Sequence, residues 1–585
     1  MKKVIPILLA STVLASSFAY ALAETPVTPI TTLDTEKFTV DLTNPLASQY
    51  FGLYSVELTM EDGTVRTIYQ YVPESWKYRQ PEVAVAVPSG EDPVEFFEKT
   101  GWKAASEKGS FAVILMTAGE GGWAADESEY AYATFDYMDK RTYLQTQDSA
   151  FYMVGYGDAA NAVMQHAVTN SELFAGFAAL GVDHFDTAIL EQGRTEESGA
   201  AGIMKSEVAV PMWIACDEKT DAVNELIDYW KSANECSDAF VSNSYADEIY
   251  SFPEYMAKTN EITYAHVSKL YVTVGTEDIY SEDFTNNLWG NFLRRVRRQD
   301  SGDINALRYF ASNDELGMDH ETMEVEGVTR EFYVYVPSAV KEGRKTKVPV
   351  VFVCHGGGGS AEEFPSRSGW TKTAEERDFI AVYLTGSRKN GFKAATTWSE
   401  GDIPFFKAAR EYVLANYEMI DNTRIYLTGH SMGSLMTFNV ATLCPELVAA
   451  ACGNDGMLGL EELLAKGNMD VVIPFMLNVG EKDYGFVTED GAPNYEYVDD
   501  GMEKWAAAHN IPLTDENKRE FSDGRNYGTE YTNEDGIVVL CSQWNEEKIH
   551  AMVPEDTYAV YDFLCNYSRG EDGTSYFMGK EIKLK

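Results

Sequence analysis

Gly429-His430-Ser431-Met432-Gly433 sets a serine between two glycines in the spacing G-x-S-x-G. In that pattern a strand turns sharply into a helix and presents the serine hydroxyl at the tip. Side chains at Gly429 or Gly433 would collide in so tight a turn, and the strained backbone projects Oγ out of the sheet. A serine hydroxyl becomes a nucleophile when a histidine takes its proton, and that histidine needs a carboxylate to fix its tautomer. In a strand-to-helix elbow the acid and then the histidine follow the serine along the chain. Asp483 closes "GEKD", one turn beyond the apolar run "VIPFMLNVG", with Glu481 and Asp490 as competitors. Beyond it only His509 and His550 remain. His509 ends the helical run "GMEKWAAA" and reads as an exposed helix-end residue. His550 follows the strand-like "GIVVLCSQW" and the loop "NEEKI", where a base can reach over the carboxyl end of a sheet. The candidate triad is Ser431, Asp483 and His550.

Ester or amide cleavage also needs donors aimed at the negative oxygen of the tetrahedral intermediate. The amide of Met432, next after the nucleophile, is one. The other comes from "HGGGG", His355 to Gly359, where glycines after a strand let the backbone approach the substrate. Gly357 is the first choice and Gly356 the second. The run is not a phosphate loop, because the Lys-Ser/Thr that would hold phosphate and magnesium is missing.

The elements that must carry these groups are apolar runs nearly without polar breaks, "VPVVFVC", "IAVYLTG", "RIYLTG", "VIPFMLNVG" and "GIVVLCSQW", alternating with helical patterns such as "SLMTFNVATLCPEL". That alternation predicts βαβ units and a parallel sheet covered on both faces. The same order occurs earlier in the chain. "RTIYQYVPES" parallels "REFYVYVPSA", "EVAVAVPSGEDPVEFFEKTGW" parallels "VVFVCHGGGGSAEEFPSRSGW", and "AFYMVGYGDAANAV" parallels "RIYLTGHSMGSLMT". The repeat is the size of a domain, and the polar stretch after Arg308 marks its boundary. The expected organisation is a first α/β domain over residues 24–312 and a second over 313–585.

With strand, glycine loop, elbow, acid and histidine in place, the second half resembles the polyhydroxybutyrate depolymerase and feruloyl esterase group of secreted α/β-hydrolases. The markers include "HGGGG", Phe364, "SGW" through Trp370, Trp398 followed by Asp402 and "PFF", "DNTRIYLTGHSMG", "GEKD", Trp505 and "KIHAMVPEDTYAVYDFL". The resemblance, from about Arg330 to Arg569, implies an α/β-hydrolase fold and serine ester hydrolysis in the second half, with no metal or cofactor, and the internal repeat extends the fold to the first half. Ser434 stands where many members have a further glycine, and Met552 where an aromatic residue is common; both are expected at the pocket's edge. In the first half the elbow reads Gly155-Tyr156-Gly157-Asp158-Ala159, the acid position falls near Thr220 and Asp221, the histidine position near Ile279 and Tyr280, and the glycine loop has become "VPSGEDP". The first domain is therefore expected to lack the catalytic residues, its copy either binding polymer, packing over the site, or serving as a stabilising partner.

Composition narrows the partners. A net charge of −45 repels nucleic acid and anionic lipid, both of which are bound through clusters of Lys and Arg. Residues 1–23, "MKKVIPILLASTVLASSFAYALA", combine a lysine pair, a short apolar run and a small-x-small site, the pattern of a cleavable signal peptide. The mature chain then starts at Glu24, is extracellular or periplasmic, and has no membrane association after cleavage. Seven cysteines in an exported chain allow disulfides without making them the framework; Cys216 with Cys236, or Cys444 with Cys452, are the candidate pairs, and Cys354 reads as a buried free thiol. The expected partner is an ester substrate, polymeric or small, and the sequence sets no oligomeric state. The rival functions are a peptidase on the same fold and a non-catalytic protein with two hydrolase-like domains.

Overall fold

The computed structural model describes residues 51–582 apart from 77–78, 125, 142–143, 145, 183–184, 200–201, 255–265, 299–306, 389–395, 469 and 472. The expected signal peptide, 1–23, lies outside them. Two compact units divide between Phe310 and Ala311.

The first unit contains β1 (Gly52–Thr59), β2 (Val65–Val72), β3 (Glu82–Ala86), β4 (Ala112–Met116), β5 (Phe151–Tyr156), β6 (Gly176–Leu180), β7 (Met212–Cys216), β8 (Phe240–Val241), β9 (Glu248–Ser251) and β10 (Lys269–Val274). They form one sheet in the order β1-β2-β4-β3-β5-β6-β7-β10-β9-β8. The second unit contains β11 (Asp319–Val325), β12 (Val328–Tyr335), β13 (Val348–Cys354), β14 (Ile380–Leu384), β15 (Ile420–His430), β16 (Ala450–Asn454), β17 (Phe475–Gly480), β18 (Lys518–Asp523), β19 (Asn526–Thr532) and β20 (Val538–Asn545). Its order, β11-β12-β14-β13-β15-β16-β17-β20-β19-β18, repeats the first. The senses repeat too: a parallel centre from β14 to β20, with antiparallel hairpins at both edges, matches β4 to β10. The chain is two tandem α/β-hydrolase domains.

The central strands β3 to β7, β13, β14, β16 and β17 are buried throughout, and β15 from Ile425 to Gly429, which explains why they read as unbroken apolar runs rather than alternating ones. The edge strands β11 and β18 expose most of theirs. Pro349 lies inside β13, and the ladder to β15 shifts register between Val348 and Val350, as a residue without an N–H requires. Each domain's helices cover both faces of its sheet, so in the first domain the apolar side chains separate into two clusters, one holding Ile114, Met153 and Trp230, the other Val113, Tyr152 and Trp213.

An arginine, buried in the second domain and largely buried in the first, repeats with the sheet. Arg330 pairs with Asp402 at 2.8 Å, donates to the Thr385 carbonyl at 2.8 Å and lies 4.0 Å from the Phe405 ring. Arg66 pairs with Glu127 at 2.7 Å, donates to the Thr117 carbonyl at 2.9 Å and lies 3.9 Å from the Tyr130 ring. Trp398 and Trp123 complete the two sets, each indole N–H donating at 2.8 Å to the first carbonyl beyond a strand, that of His355 or Val87. Charge, aromatic face and backbone carbonyl satisfy each guanidinium, so neither is left as an orphaned charge.

All seven cysteines are free thiols, and neither candidate pair is bridged. Five of them are buried, Cys354 among them. Among the described residues no helix is long and apolar enough to cross a membrane.

Candidate active site

Ser431 follows β15 and precedes the helix Met432–Leu443, with φ +54° and ψ −115°. Positive φ is rare for a residue with a side chain, and its strain is held by the packing around it. A Cβ on Gly429 would overlap the carbonyl of Gly433, and one on Gly433 would overlap that of Cys354. Both glycines are therefore required by sterics, as expected from the motif. The Ser431 amide is tied to the Asn454 carbonyl at 2.8 Å.

Asp483 lies just beyond β17 and is wholly buried. Its Oδ2 accepts from His550 Nδ1 at 2.8 Å, and its Oδ1 accepts from the Gly485 amide at 2.7 Å. The competitors are otherwise engaged: Glu481 accepts from Tyr527 Oη and the Glu547 amide, and Asp490 accepts from Thr488 on the surface. His509 is at a helix end but is buried rather than exposed, with Nδ1 2.9 Å from the Trp505 carbonyl and its ring 4.5 Å from that indole. The adjacent tryptophan supplies an apolar wall that helix periodicity alone does not reveal.

The glycine loop closes on the elbow. A Cβ on Gly356 would lie 3.4 Å from that of Ser431, and one on Gly357 would lie 3.3 Å from Met432 Cγ. His355 braces the loop from below. Its Nε2 accepts from the Gly386 amide at 2.9 Å, so Nδ1 carries the proton and donates to the Gly356 carbonyl at 2.6 Å. Burial pushes the His355 pKa down to about 4, keeping the ring neutral in this role. Ser434 departs from expectation: it is buried behind the elbow, where its hydroxyl donates to the Gly456 carbonyl at 2.6 Å, instead of lining a pocket's edge. Met552 is buried as well.

Several site residues carried no motif. Asp455, after β16, has φ +53° and is buried. It accepts from the Gly480 amide at 3.0 Å and pairs at 2.7 Å with Lys548, whose ammonium also lies 3.1 Å from Asp556. Burial raises the Asp455 pKa, and the charge of Asp483 adds to this while Lys548 opposes it. Burial also works against a charged Lys548, but the two carboxylates outweigh it and its pKa rises. Lys548 sits two residues before His550, and its carbonyl accepts from the Lys482 amide at 2.8 Å. The ion cluster thus anchors the histidine loop to the acid loop. Asn454, Asn478, Gln543 and Asn545 form a further buried hydrogen-bonded row across β16, β17 and β20. The signal available for Asp455 was its place after "AACGN" at a strand's carboxyl end, and for Lys548 its closeness to His550.

His550 is flanked by two rings, His430 at 4.9 Å and Tyr484 at 4.4 Å between centroids. Burial, with His550 and Lys548 nearby, holds the His430 pKa well below its usual range. A buried carboxylate on one imidazole nitrogen, a strained serine, and amides at a helix start are the parts of nucleophilic acyl transfer.

No family model matches the chain. Among curated proteins, feruloyl esterase B of Talaromyces funiculosus is 26% identical over 133 residues, 22% of this chain and 36% of that protein. The chain has esterase relatives. Probable acetylxylan esterase A of Neosartorya fischeri is 26% identical over 168 residues, 28% of this chain and 41% of the other. Poly(3-hydroxyalkanoate) depolymerase C of Paucimonas lemoignei is 30% identical over 129 residues, 21% and 30%. The matched stretch thus spans well under half the length of each of these esterase relatives. Solved structures similar to the chain include an acetyl xylan esterase from Aspergillus awamori, 16% identical with TM-score 0.32, covering 42% of this chain and 98% of that one. Another is a feruloyl esterase module from Clostridium thermocellum, 15% identical with TM-score 0.30, covering 42% and 86%.

The first domain has other residues at the corresponding positions. By strand register Gly157 stands for Ser431, Thr220 for Asp483, Tyr280 for His550 and Ser89 for Gly357. Thr220 caps the helix Asp221–Ala233. The Ser89 amide donates at 2.9 Å to the carboxylate of Asp158, the counterpart of Met432.

Proposed function

We propose that the chain is a secreted serine carboxylic-ester hydrolase. Ser431 attacks the ester carbonyl as His550 takes its proton, Asp483 orients the imidazole, and the amides of Met432 and Gly357, with Gly356 as the alternative, hold the oxyanion. His550 then protonates the leaving alcohol, and water activated by the same histidine releases the acid. The observation that carries this reading is the hydrogen bond of 2.8 Å between His550 and the fully buried Asp483, both on the side of the sheet where β15 ends in a strained serine. Only the Nε2 side of His550 is left for proton transfer, as the chemistry demands.

The esterase relatives favour esters carried by plant polysaccharide or by hydroxyalkanoate polymer. The first domain, residues 24–312, is a catalytically silent copy: it has no hydroxyl at Gly157, no base at Tyr280 and no acid at Thr220. The catalytic domain is 313–585. The leader pattern of residues 1–23 supports export.

Initial rates of the purified mature chain beside Ser431→Ala test this, on p-nitrophenyl acetate and butyrate, methyl ferulate, acetylated xylan and hydroxybutyrate oligomers. Loss of about 10⁴-fold or more in kcat is expected with the serine, as for triad members generally. Equal rates for both proteins on every ester would overturn the assignment.

A further inference from the structure

We propose that Tyr484, with the pair Tyr495 and Tyr527 beside it, forms a subsite for the alcohol part of the ester, and that this alcohol is an uncharged sugar of a polysaccharide. The inference rests on the esterase reading above.

The general acid fixes which part of the substrate meets which surface. Met432 and Gly357 face the acyl oxygen, whereas His550 must reach the oxygen of the departing alcohol to protonate it. A side chain on the outer flank of His550 therefore meets the alcohol. Tyr484 is the exposed ring beside it: it lies 4.4 Å from the imidazole and is 65% exposed, whereas the side chain of the other neighbouring ring, His430, is only 13% exposed. Tyr484 cannot drift far, because its neighbour Asp483 is buried and bonded to His550 and to the Gly485 amide.

The chain then makes a small hairpin. Thr488 and Asn494 donate at 2.8 Å to the carbonyls of Ala492 and Phe486, which sets Asn494, the residue before Tyr495, beside Phe486, two residues after Tyr484. Tyr495 is 44% exposed, and its ring stands 4.9 Å from that of Trp544, edge to face. Its hydroxyl lies 2.8 Å from that of Tyr527, which donates at 2.8 Å to Glu481 Oε1. The other oxygen of Glu481 accepts from the Glu547 amide at 3.1 Å, in the loop that carries His550. The tyrosines are thus fastened to both loops that hold the acid and the base.

Two exposed phenol rings, Tyr484 and Tyr495, the second bonded to a half-buried tyrosine that is held by a carboxylate, offer flat apolar faces edged with donors and acceptors. Sugar rings present the complement, with C–H groups on their faces and hydroxyls at their edges. Glu481, Glu489, Asp490 and Glu496 on the same segment disfavour an anionic alcohol such as the chain end of a hydroxyacid polyester.

The test pairs two esters of one acyl group, methyl ferulate against a feruloylated arabinoxylan oligosaccharide, or methyl acetate against an acetylated xylo-oligosaccharide, whichever acyl group the enzyme accepts. Tyr484→Ala is expected to lose about five- to tenfold more kcat/KM on the sugar ester than on the methyl ester, largely through KM, with Tyr484→Phe keeping most of the difference. Tyr495→Ala should show the same split, more weakly. Equal losses on both esters would make Tyr484 a brace for His550 and overturn the subsite, as would no loss on either. Wild-type activity with no such split refutes the subsite alone. A wild type inactive on every ester refutes the esterase reading with it.

Discussion

Two residues, Ser431 and Gly157, occupy the same corner of the same fold, with φ of +54° and +55°. Each backbone amide is held at 2.8 Å by the carbonyl ending the neighbouring strand, that of Asn454 or Leu180. At one corner the chain tolerates a side chain in a conformation that costs of order 1–3 kcal/mol; at the other it places glycine, for which the conformation is nearly free. The elbow is thus a property of the sheet and its helix, independent of whether a nucleophile stands on it. A second difference lies beside it. In the first domain the amide that would receive an oxyanion is bound by the carboxylate of Asp158, a built-in anion where the second domain has Met432.

The largest test of that contrast moves the hydroxyl. Ser431→Ala should abolish covalent labelling by a fluorophosphonate probe. Gly157→Ser in the same background should not restore labelling: a Cβ there meets nothing closer than 3.5 Å, yet Tyr280 and Thr220 supply no base. Labelling of the double variant, read by intact-protein mass, would break the comparison.

Next comes the ion cluster, which the first domain lacks, having Asp278 at the register position of Lys548. Lys548→Met removes the cation from buried Asp455 and leaves buried Asp556 only Arg525, 3.7 Å away, and should cost about 3–5 kcal/mol in denaturant unfolding of the second domain. A loss under about 1 kcal/mol would show that the cluster does not anchor the histidine loop.

Buried histidines give both domains a similar acid sensitivity. Burial holds His166 at about 3 and His355 at about 4 against an ordinary 6.5. Below pH 6.5 the unfolded chain binds these protons and the folded chain does not, so stability is full above that pH and falls as pH drops toward 4. Each histidine should cost about 2 kcal/mol between pH 7 and 5. His355→Gln and His166→Gln should each remove their share of the slope, followed by the urea midpoint in each domain. An unchanged slope would mean the imidazoles protonate in the folded state.

The smallest effect is expected at the plug. Asp158→Ala frees the Ser89 amide at the surface and should cost about 0.5–1.5 kcal/mol, with esterase rates unaltered, since none of the proposed chemistry resides there. A change in kcat would tie the first domain to catalysis.

The runs "VPVVFVC" and "VIPFMLNVG" declared buried parallel strands by composition alone, because only strands covered on both faces can be apolar throughout. G-x-S-x-G declared its turn because no residue but glycine avoids the carbonyls there. The strand-end positions of the candidate residues Ser431, Asp483, His550 and of the glycine loop could be located for the same reason: each is tied to a strand end or to local sterics, and both are written in adjacent residues. The duplication was equally legible, since it repeats order along the chain. What only the tertiary structure decided are the contacts between residues far apart in sequence. Lys548 meets Asp455 and Asp556, Tyr484 flanks His550, Asp158 reaches the Ser89 amide, and Ser434 turns inward to Gly456. Such pairs depend on which strand lies beside which and on how each loop returns, and a charge or a ring in one segment carries no record of the partner it will meet once the sheet has formed.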